Sequence, residues 1–519
     1  MPGLQDFPKE RSPSVLALFA FGGIYVLYIL FTRFISWQRH SRIIRDNGCK
    51  PVAKYPHKDP IFGLDVLKIS IKLSKEGGMW DAFEKRYQSI NGGVNTFSQR
   101  MMGAEEINTA EPENIKAMLA TKFKDFELPP GRKAAFQPIF GHGIFTTDDA
   151  EWEASRALLR PNFIRTQIAD LRMFEHHVSR MISKIPHDGS TVDLQKLFFM
   201  LTIDSATEFL FGTSSNVLGT GEDTVKGEKF ADAFGYVTDR IGFKNRIGKL
   251  GVLFPDPKWK TSVEYVHEYV QKYVQDAATK RKLHVAEKGK ADDEQAERYV
   301  FLNELAKTGY GEKKIQDELL NILLAGRDTT ASLLSFLWHI FARRPDVFDK
   351  VRAEVLKLGS DSPTFEQVKD MKYLQYCMNE TLRLYPIVPA NGRSAVRDTT
   401  LPVGGGPDGK SPILVKKGQR VSYHVYVMHR REDLYGPDAA EFRPERWETL
   451  RPSWQYLPFN GGPRICIGQQ FALTEASYTT IRLLQAFKKI EPREFTPILE
   501  LQTLTMAVRA GVQVGLTPA

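Results

Sequence analysis

A chain of 519 residues, 42% of them hydrophobic and 26% charged, carries enough apolar material for a large buried core and lacks the polar bias of a disordered protein. Its three cysteines, Cys49, Cys377 and Cys466, stand far apart, which argues against a disulfide framework or a paired-cysteine zinc cage and points to a reducing compartment. A net charge of +9 suits an anionic membrane surface, an acidic protein or a nucleic acid, and charge alone does not choose among them.

The first predicted element spans Ser12 to Thr32, 21 residues without a charge. As a helix rising about 1.5 Å per residue it reaches about 30 Å, the thickness of a bilayer's hydrocarbon core. Arg33, Arg39, Arg42, Arg45, Lys50, Lys54 and Lys58 follow with Asp46 as the one acid among them, whereas Lys9 and Arg11 before the run are balanced by Asp6 and Glu10. The positive-inside rule then places the body of the protein in the cytosol. A cleaved signal fits less well, because the run is long and no small-residue cleavage site follows it. Lys50 to Pro60 holds three prolines and reads as a stiff linker. The expected division is a membrane anchor over 1–33, a basic linker over 34–60 and a catalytic body over 61–519.

From Lys68 to about Asp398, apolar residues recur at three and four with Pro/Gly-rich joints between runs, predicting a mainly helical body. Within it a proline-free, mostly apolar helix is expected from about Gly311 to Ala342. Thr399 to Gln419 and the alternating Gln419 to Val427 predict short strands and turns. A last helix is expected from Gln469, followed by a hairpin-like tail over Glu500 to Leu516. No repeat of solenoid or propeller period is present.

The strongest chemical signal is Phe459-Asn460-Gly461-Gly462-Pro463-Arg464-Ile465-Cys466-Ile467-Gly468, which runs into the helix. Its glycines let backbone approach a flat, bulky cofactor and turn N–H groups toward sulfur. A thiolate at a helix N-terminus is favoured by the dipole there, so this cysteine suits a metal better than a disulfide. The pattern F-x-x-G-x-R-x-C-x-G resembles the haem-binding loop of the cytochrome P-450 superfamily, with every fixed position filled by Phe459, Gly462, Arg464, Cys466 and Gly468.

That resemblance implies the superfamily's mainly α fold with small β-sheets and a cofactor of haem b (iron protoporphyrin IX). It implies Cys466 as the axial iron ligand, whose electron push favours O–O cleavage, and Arg464 as partner of a haem propionate. Ala325-Gly326-Arg327-Asp328-Thr329-Thr330 resembles the oxygen-binding helix, with Thr329 orienting a water or hydroperoxide and Asp328 supplying protons. Two adjacent threonines and a glycine also predict a kink or groove there. Glu380-Thr381-Leu382-Arg383 places Glu and Arg on one helical face. With Arg446 of Phe442-Arg443-Pro444-Glu445-Arg446-Trp447 it resembles the family's salt-bridge triad, a structural feature. Trp152 and Arg156 match the W-x-x-x-R of the helix beside the haem, and Arg393 is a further propionate candidate. One departure is visible: Ala390-Asn391-Gly392 stand after Pro389, where the family places a basic residue near the haem rim.

The expected function is a haem-thiolate monooxygenase of microsomal type, held by a single pass in the endoplasmic reticulum membrane. No dinucleotide or flavin fingerprint is present, so electrons are expected from an NADPH-cytochrome P-450 reductase, with cytochrome b5 as a further donor and no nucleic-acid partner. Phe459 to Tyr478 and Thr400-Leu401-Pro402 before Gly404-Gly405-Gly406-Pro407 resemble fungal alkane- and fatty-acid-hydroxylating members. A long apolar chain, oxidised at or near its end, is therefore the expected substrate. The alternatives are a tailoring monooxygenase of secondary metabolism, a haem-thiolate isomerase and a non-catalytic haem sensor.

Overall fold

The computed structural model describes residues 13–163, 170–248, 251, 254–287 and 300–519, apart from the side chains of 13–20, 246 and 282–287. The first described element is α1 (Pro13–Asn47), whose Phe21, Leu27, Phe31 and Trp37 are all largely exposed. Among the described residues no helix is long and apolar enough to cross a membrane; Ser12 and the side chains of 13–20, which belong to the predicted span, lie outside them.

The segment read as a linker contributes β1 (Ala53–Lys54), followed by α2 (Leu64–Glu76), α3 (Met79–Ser89), β2 (Thr96–Met101) and β3 (Ala104–Thr109). Then come β4 (Phe126–Glu127), α4 (Pro130–Phe140), α5 (Asp149–Leu159), α6 (Arg172–Ile182) and β5 (Val192–Asp193). Four longer helices form the middle of the chain: α7 (Leu194–Phe211), α8 (Glu222–Ile247), α9 (Pro257–Glu287) and α10 (Glu312–Arg343). After α11 (Lys372–Leu384) the strands β6 (Ala390–Ala395), β7 (Thr399–Gly405), β8 (Ser411–Val415) and β9 (Arg420–His424) precede α12 (Gln469–Ala486). The chain closes with β10 (Phe487–Pro492), β11 (Glu500–Gln502), β12 (Met506–Val508) and β13 (Gln513–Pro518).

This is the mainly helical body with small sheets that periodicity predicts. The largest sheet runs β1-β2-β3-β9-β6-β4, and β3 lies parallel to β9 with Ile107 opposite Val421. β1 lies parallel to β2, so residues 53–54 are tied to the body by sheet pairing. The tail is a partial correction: β11 and β12 form the expected hairpin, but β13 leaves it to pair with β10 and β5.

α10 crosses the core, with Leu319, Leu320, Leu323, Leu334, Leu337 and Phe341 essentially inaccessible. An apolar helix without proline, 32 residues long, is stable mainly because neighbours cover it on every side. It is less purely apolar than its periodicity suggests. Asp317, Glu318 and Asn321 are also buried, on the side facing the loop between α4 and α5, and Gln316 is buried against α9, where its Nε2 donates to the His267 carbonyl at 2.8 Å.

Candidate active site

Residues 459–468 form a tight loop at the N-terminus of α12. Gly462 has φ +67°, and a Cβ built there would lie 1.9 Å from the Leu119 carbonyl oxygen, so only glycine fits. Asn460 is also left-handed, at φ +63°. Its Oδ1 accepts from the Tyr423 hydroxyl at 2.9 Å and its Nδ2 donates to the Arg464 carbonyl at 3.2 Å. The Cys466 N–H donates to the Phe459 carbonyl at 3.0 Å, which closes the loop, and Gly468 caps the helix.

The Cys466 sulfur has open surface on a cavity of about 520 Å³, walled also by Trp152, Arg156, Phe163, Gly462 and Ile467. Desolvation by the surrounding protein pushes the thiol up, while the Gly468 N–H and the Arg156 charge pull it down. A sulfur open to the cavity and furnished with a backbone donor and a nearby cation is suited to bind a metal as thiolate.

Next to Trp152, a wall of this cavity, stands Arg464, and the charges of Arg132 and Arg393 act on it with Asp148 as counter-charge. Arg464 donates to Asp148 at 2.6 Å and to the Thr147 carbonyl at 2.9 Å, and it lies 4.4 Å from the Trp152 ring centroid. Desolvation and the charges of Arg393 and Arg132 lower Arg464 to about 10, against the pull of Asp148. Arg132, from α4, is likewise lowered to about 10 by burial and by Arg393, and its Nε is buried without a hydrogen-bond partner. Asn391 Oδ1 accepts from both Arg132 (3.2 Å) and Arg393 (3.4 Å), so the asparagine that departs from the family pattern gathers two guanidinium groups. Buried cations that repel one another call for an anion between them. Haem, with an iron for the sulfur and two carboxylates for the arginines, fits this donor set.

Trp152 and Arg156 both come from α5, as predicted. Arg156 donates to the Ile465 carbonyl at 3.0 Å, bracing the cysteine loop. Thr329 and Asp328 lie outside that cavity's lining, on an α10 that runs unbroken past them. The Thr329 hydroxyl bonds the Ala325 carbonyl one turn back at 2.5 Å, the competition for backbone that its sequence position suggests. Asp328 is buried, pairs with Arg327 at 3.1 Å, and is raised by desolvation against that charge.

Glu380, Arg383 and Arg446 meet in the interior. Glu380 accepts from Arg383 Nε at 2.9 Å, Arg383 Nη2 at 2.8 Å and Arg446 Nε at 2.8 Å, and also from the Arg443 N–H and the Trp447 indole, each at 3.0 Å. Arg383 spends its remaining donors on the carbonyls of His429, Ala439 and Glu441, pinning the segment that leads to the cysteine loop.

Sequence reasoning missed Arg132, Asp148 and the polar face of α10. Asp317, Glu318 and Asn321 accept from the N–H groups of His142, Ile144 and Phe145 and so hold the loop that delivers α5. Cβ atoms at Gly141 and Gly143 would strike Asp317 and Asn321, each at 2.1 Å. The legible signal was the pair of glycines in Gly141-His142-Gly143; nothing local marked Arg132.

A cysteine at a helix N-terminus, opening on a cavity walled by Trp152 and Arg156, is a donor set that suits a haem. Comparison with known proteins agrees: residues 63–513 match the cytochrome P450 family. The chain is 44% identical to the cytochrome P450 monooxygenase himC of Aspergillus japonicus, over 99% of this chain and 92% of that protein. It is 44% identical to the monooxygenase fsdH of Fusarium heterosporum, over 94% and 86%, and 41% identical to cytochrome P450 52A12 of Debaryomyces hansenii, over 95% and 97%. The chain belongs to the cytochrome P450 family and is a monooxygenase of that family. The family's cofactor is haem, and its members take electrons from redox partners and act on lipophilic substrates.

Proposed function

We propose that this enzyme hydroxylates a long apolar chain, a fatty acid or n-alkane, at or near its methyl end, with electrons from an NADPH-dependent reductase and haem b as cofactor. The observation that carries the haem reading is the Cys466 thiol at the N-terminus of α12, open to a cavity walled by Trp152 and Arg156, with Arg464 packed against Trp152. Cys466 gives its thiolate to iron. Arg464, Arg393 and Arg132, with Trp152 and Arg156, hold the carboxylate edge, while Phe459, Gly462 and Gly468 shape the loop. Bound there, haem supplies oxygen activation, placing one oxygen atom in a C–H bond and reducing the other to water with two electrons and two protons.

The chain's own part in that reaction is to deliver protons and exclude water. Asp328 takes up a proton at its carboxylate and hands it to the Thr329 hydroxyl. Thr329 donates it onward when its hydrogen bond to Ala325 opens. Substrate length is favoured by about 0.8 kcal/mol per methylene buried. Support for the substrate comes from the resemblance of residues 459–478 to alkane- and fatty-acid-hydroxylating members. Tailoring oxidation in secondary metabolism is the second reading, favoured by relatives outside the 52A group that stand at 44% identity.

Attachment to the endoplasmic reticulum membrane by a single pass, with the body cytosolic, is supported by the exposed apolar side chains of α1 and the basic residues after them. The reduced carbon monoxide complex tests the ligand: a red-shifted Soret band is expected, lost in Cys466→Ala. Retention of that band would move the ligand elsewhere. Mass spectrometry of products from a mixed lipid panel tests the substrate, and turnover confined to compact polycyclic compounds would overturn it.

A further inference from the structure

Near the C-terminus of α10 lies a second cavity, of about 230 Å³, which shares no wall residue with the one at Cys466. His339 of α10 forms one side, the connection from β10 to β11 another, and the end of β12 a third. A cavity of about 150 Å³ already admits a molecule of benzene's size. His339 is 2% exposed, and its Nε2 is buried without a hydrogen-bond partner among the described residues. Burial and the Arg343 charge, against the pull of Glu494, lower it to about 4. Near neutral pH the ring is therefore uncharged, and protonated on Nε2 it offers a buried donor that an occupant of the cavity can satisfy.

The charges around the cavity leave one cation free. Arg343, one turn beyond His339, donates to the Glu494 carbonyl at 2.5 Å and to its carboxylate at 3.0 Å, and the Thr496 N–H donates to the same carboxylate at 2.6 Å. Glu494 is thereby neutralised within the wall. Arg509 is placed differently. Its N–H is fixed to the Leu499 carbonyl at 2.9 Å, but among the described residues its exposed guanidinium enters no hydrogen bond or ion pair. Arg343, Glu494 and Arg509 together carry one net positive charge, which suits a monoanion. Pro497, Leu499 and Val508 add apolar wall, which a bare inorganic anion would leave uncovered and a hydrocarbon body would bury.

We propose that this cavity is a second ligand site, taking a small aliphatic monocarboxylate whose carboxylate accepts from Arg509 and the His339 Nε2–H while its chain lies on Pro497, Leu499 and Val508. Binding is reversible and makes no covalent bond. The site stands apart from the cysteine loop and does not depend on the substrate proposed above.

The probe is trifluorobutyrate, followed by fluorine NMR on the full-length holoenzyme with a bulky azole held on the haem iron to close the first cavity. One saturable site is expected, with a Kd of about 1–10 mM. Trifluorobutanol has the same body without the charge and should bind at least about tenfold more weakly; trifluorobutyrate should weaken as much in Arg509→Gln, because each change removes a charge-assisted hydrogen bond. His339→Phe fills the cavity and should abolish saturation while the thiolate carbon monoxide band persists. If that variant loses the band, Arg509→Gln decides, since Arg509 stands on the surface and its loss leaves the interior intact. Saturation that appears only without the azole puts the probe in the first cavity and overturns the proposal. Equal affinity for the alcohol, undiminished binding in Arg509→Gln, saturation kept in a natively ligated His339→Phe, or no saturation at ten times the expected Kd overturns it equally.

Discussion

Replacing Glu380 leaves two buried arginines facing each other without their shared carboxylate. The side chains of Arg383 and Arg446 are 0% and 4% exposed, so water cannot take its place. Removing one partner of a buried ion pair costs about 3–5 kcal/mol. Here two cations lose the carboxylate they share, although Arg446 keeps Asp438 at 3.2 Å, and the Arg443 N–H and Trp447 indole lose an acceptor. Glu380→Ala should therefore reach or exceed about 5 kcal/mol, comparable to the whole stability of many domains, and holoenzyme should not accumulate. Glu380→Gln keeps the volume and one acceptor and should cost about 3 kcal/mol. The assay is urea unfolding of the holoprotein followed by circular dichroism, with the thiolate carbon monoxide band as a check on the native site. Arg383→Lys belongs to the same series: five N–H donors meet five acceptors at Arg383, and an ammonium offers only three. A Glu380→Gln midpoint within experimental error of the parent, at an unchanged slope, would refute the reasoning that this carboxylate holds the interior together.

Thr329→Ala should preserve haem binding and electron input but divert electrons to hydrogen peroxide, with product falling about 10- to 100-fold; Thr330→Ala should do much less. Peroxide per NADPH at saturating substrate is the measurement, and no rise in Thr329→Ala contradicts the relay. Glu475 is buried against Ser205 and raised to about 8 by desolvation, so the folded protein holds a proton there that the unfolded chain releases near 4.5. Between those values stability falls with rising pH by about 1.4 kcal/mol per unit, a loss Glu475→Gln should abolish; it is read as the difference between the two proteins at pH 5.5 and 7.5. No difference between the two proteins across that interval would mean that Glu475 is already ionised when folded. Gly462→Ala must both adopt φ +67° and clear the Leu119 carbonyl, so holoenzyme yield should collapse, whereas Gly251→Ala, where a Cβ meets only side-chain atoms at 3.6 Å or more, should be tolerated.

The cysteine loop, the Glu380–Arg383 pair, the Trp152–Arg156 pair and the Asp328–Thr329 pair were all legible in the sequence, because each is a local pattern. A glycine at a forced φ, a thiol at a helix N-terminus and two side chains three or four apart on one helix follow from backbone geometry over a few residues. The helical body with small sheets was legible for the same reason. The electrostatic surroundings were not. Arg464 was read as a propionate partner, and in the fold its guanidinium is also paired with Asp148 at the start of α5. Arg132, Asn391 and Arg393 converge only once β6 has paired with β9 and α4 has packed alongside. Residues 53–54, read as linker, become an edge strand because β2 offers them a parallel partner. Charge, unlike periodicity, acts through space in a low-dielectric interior, so which buried charges meet was decided only by the tertiary structure.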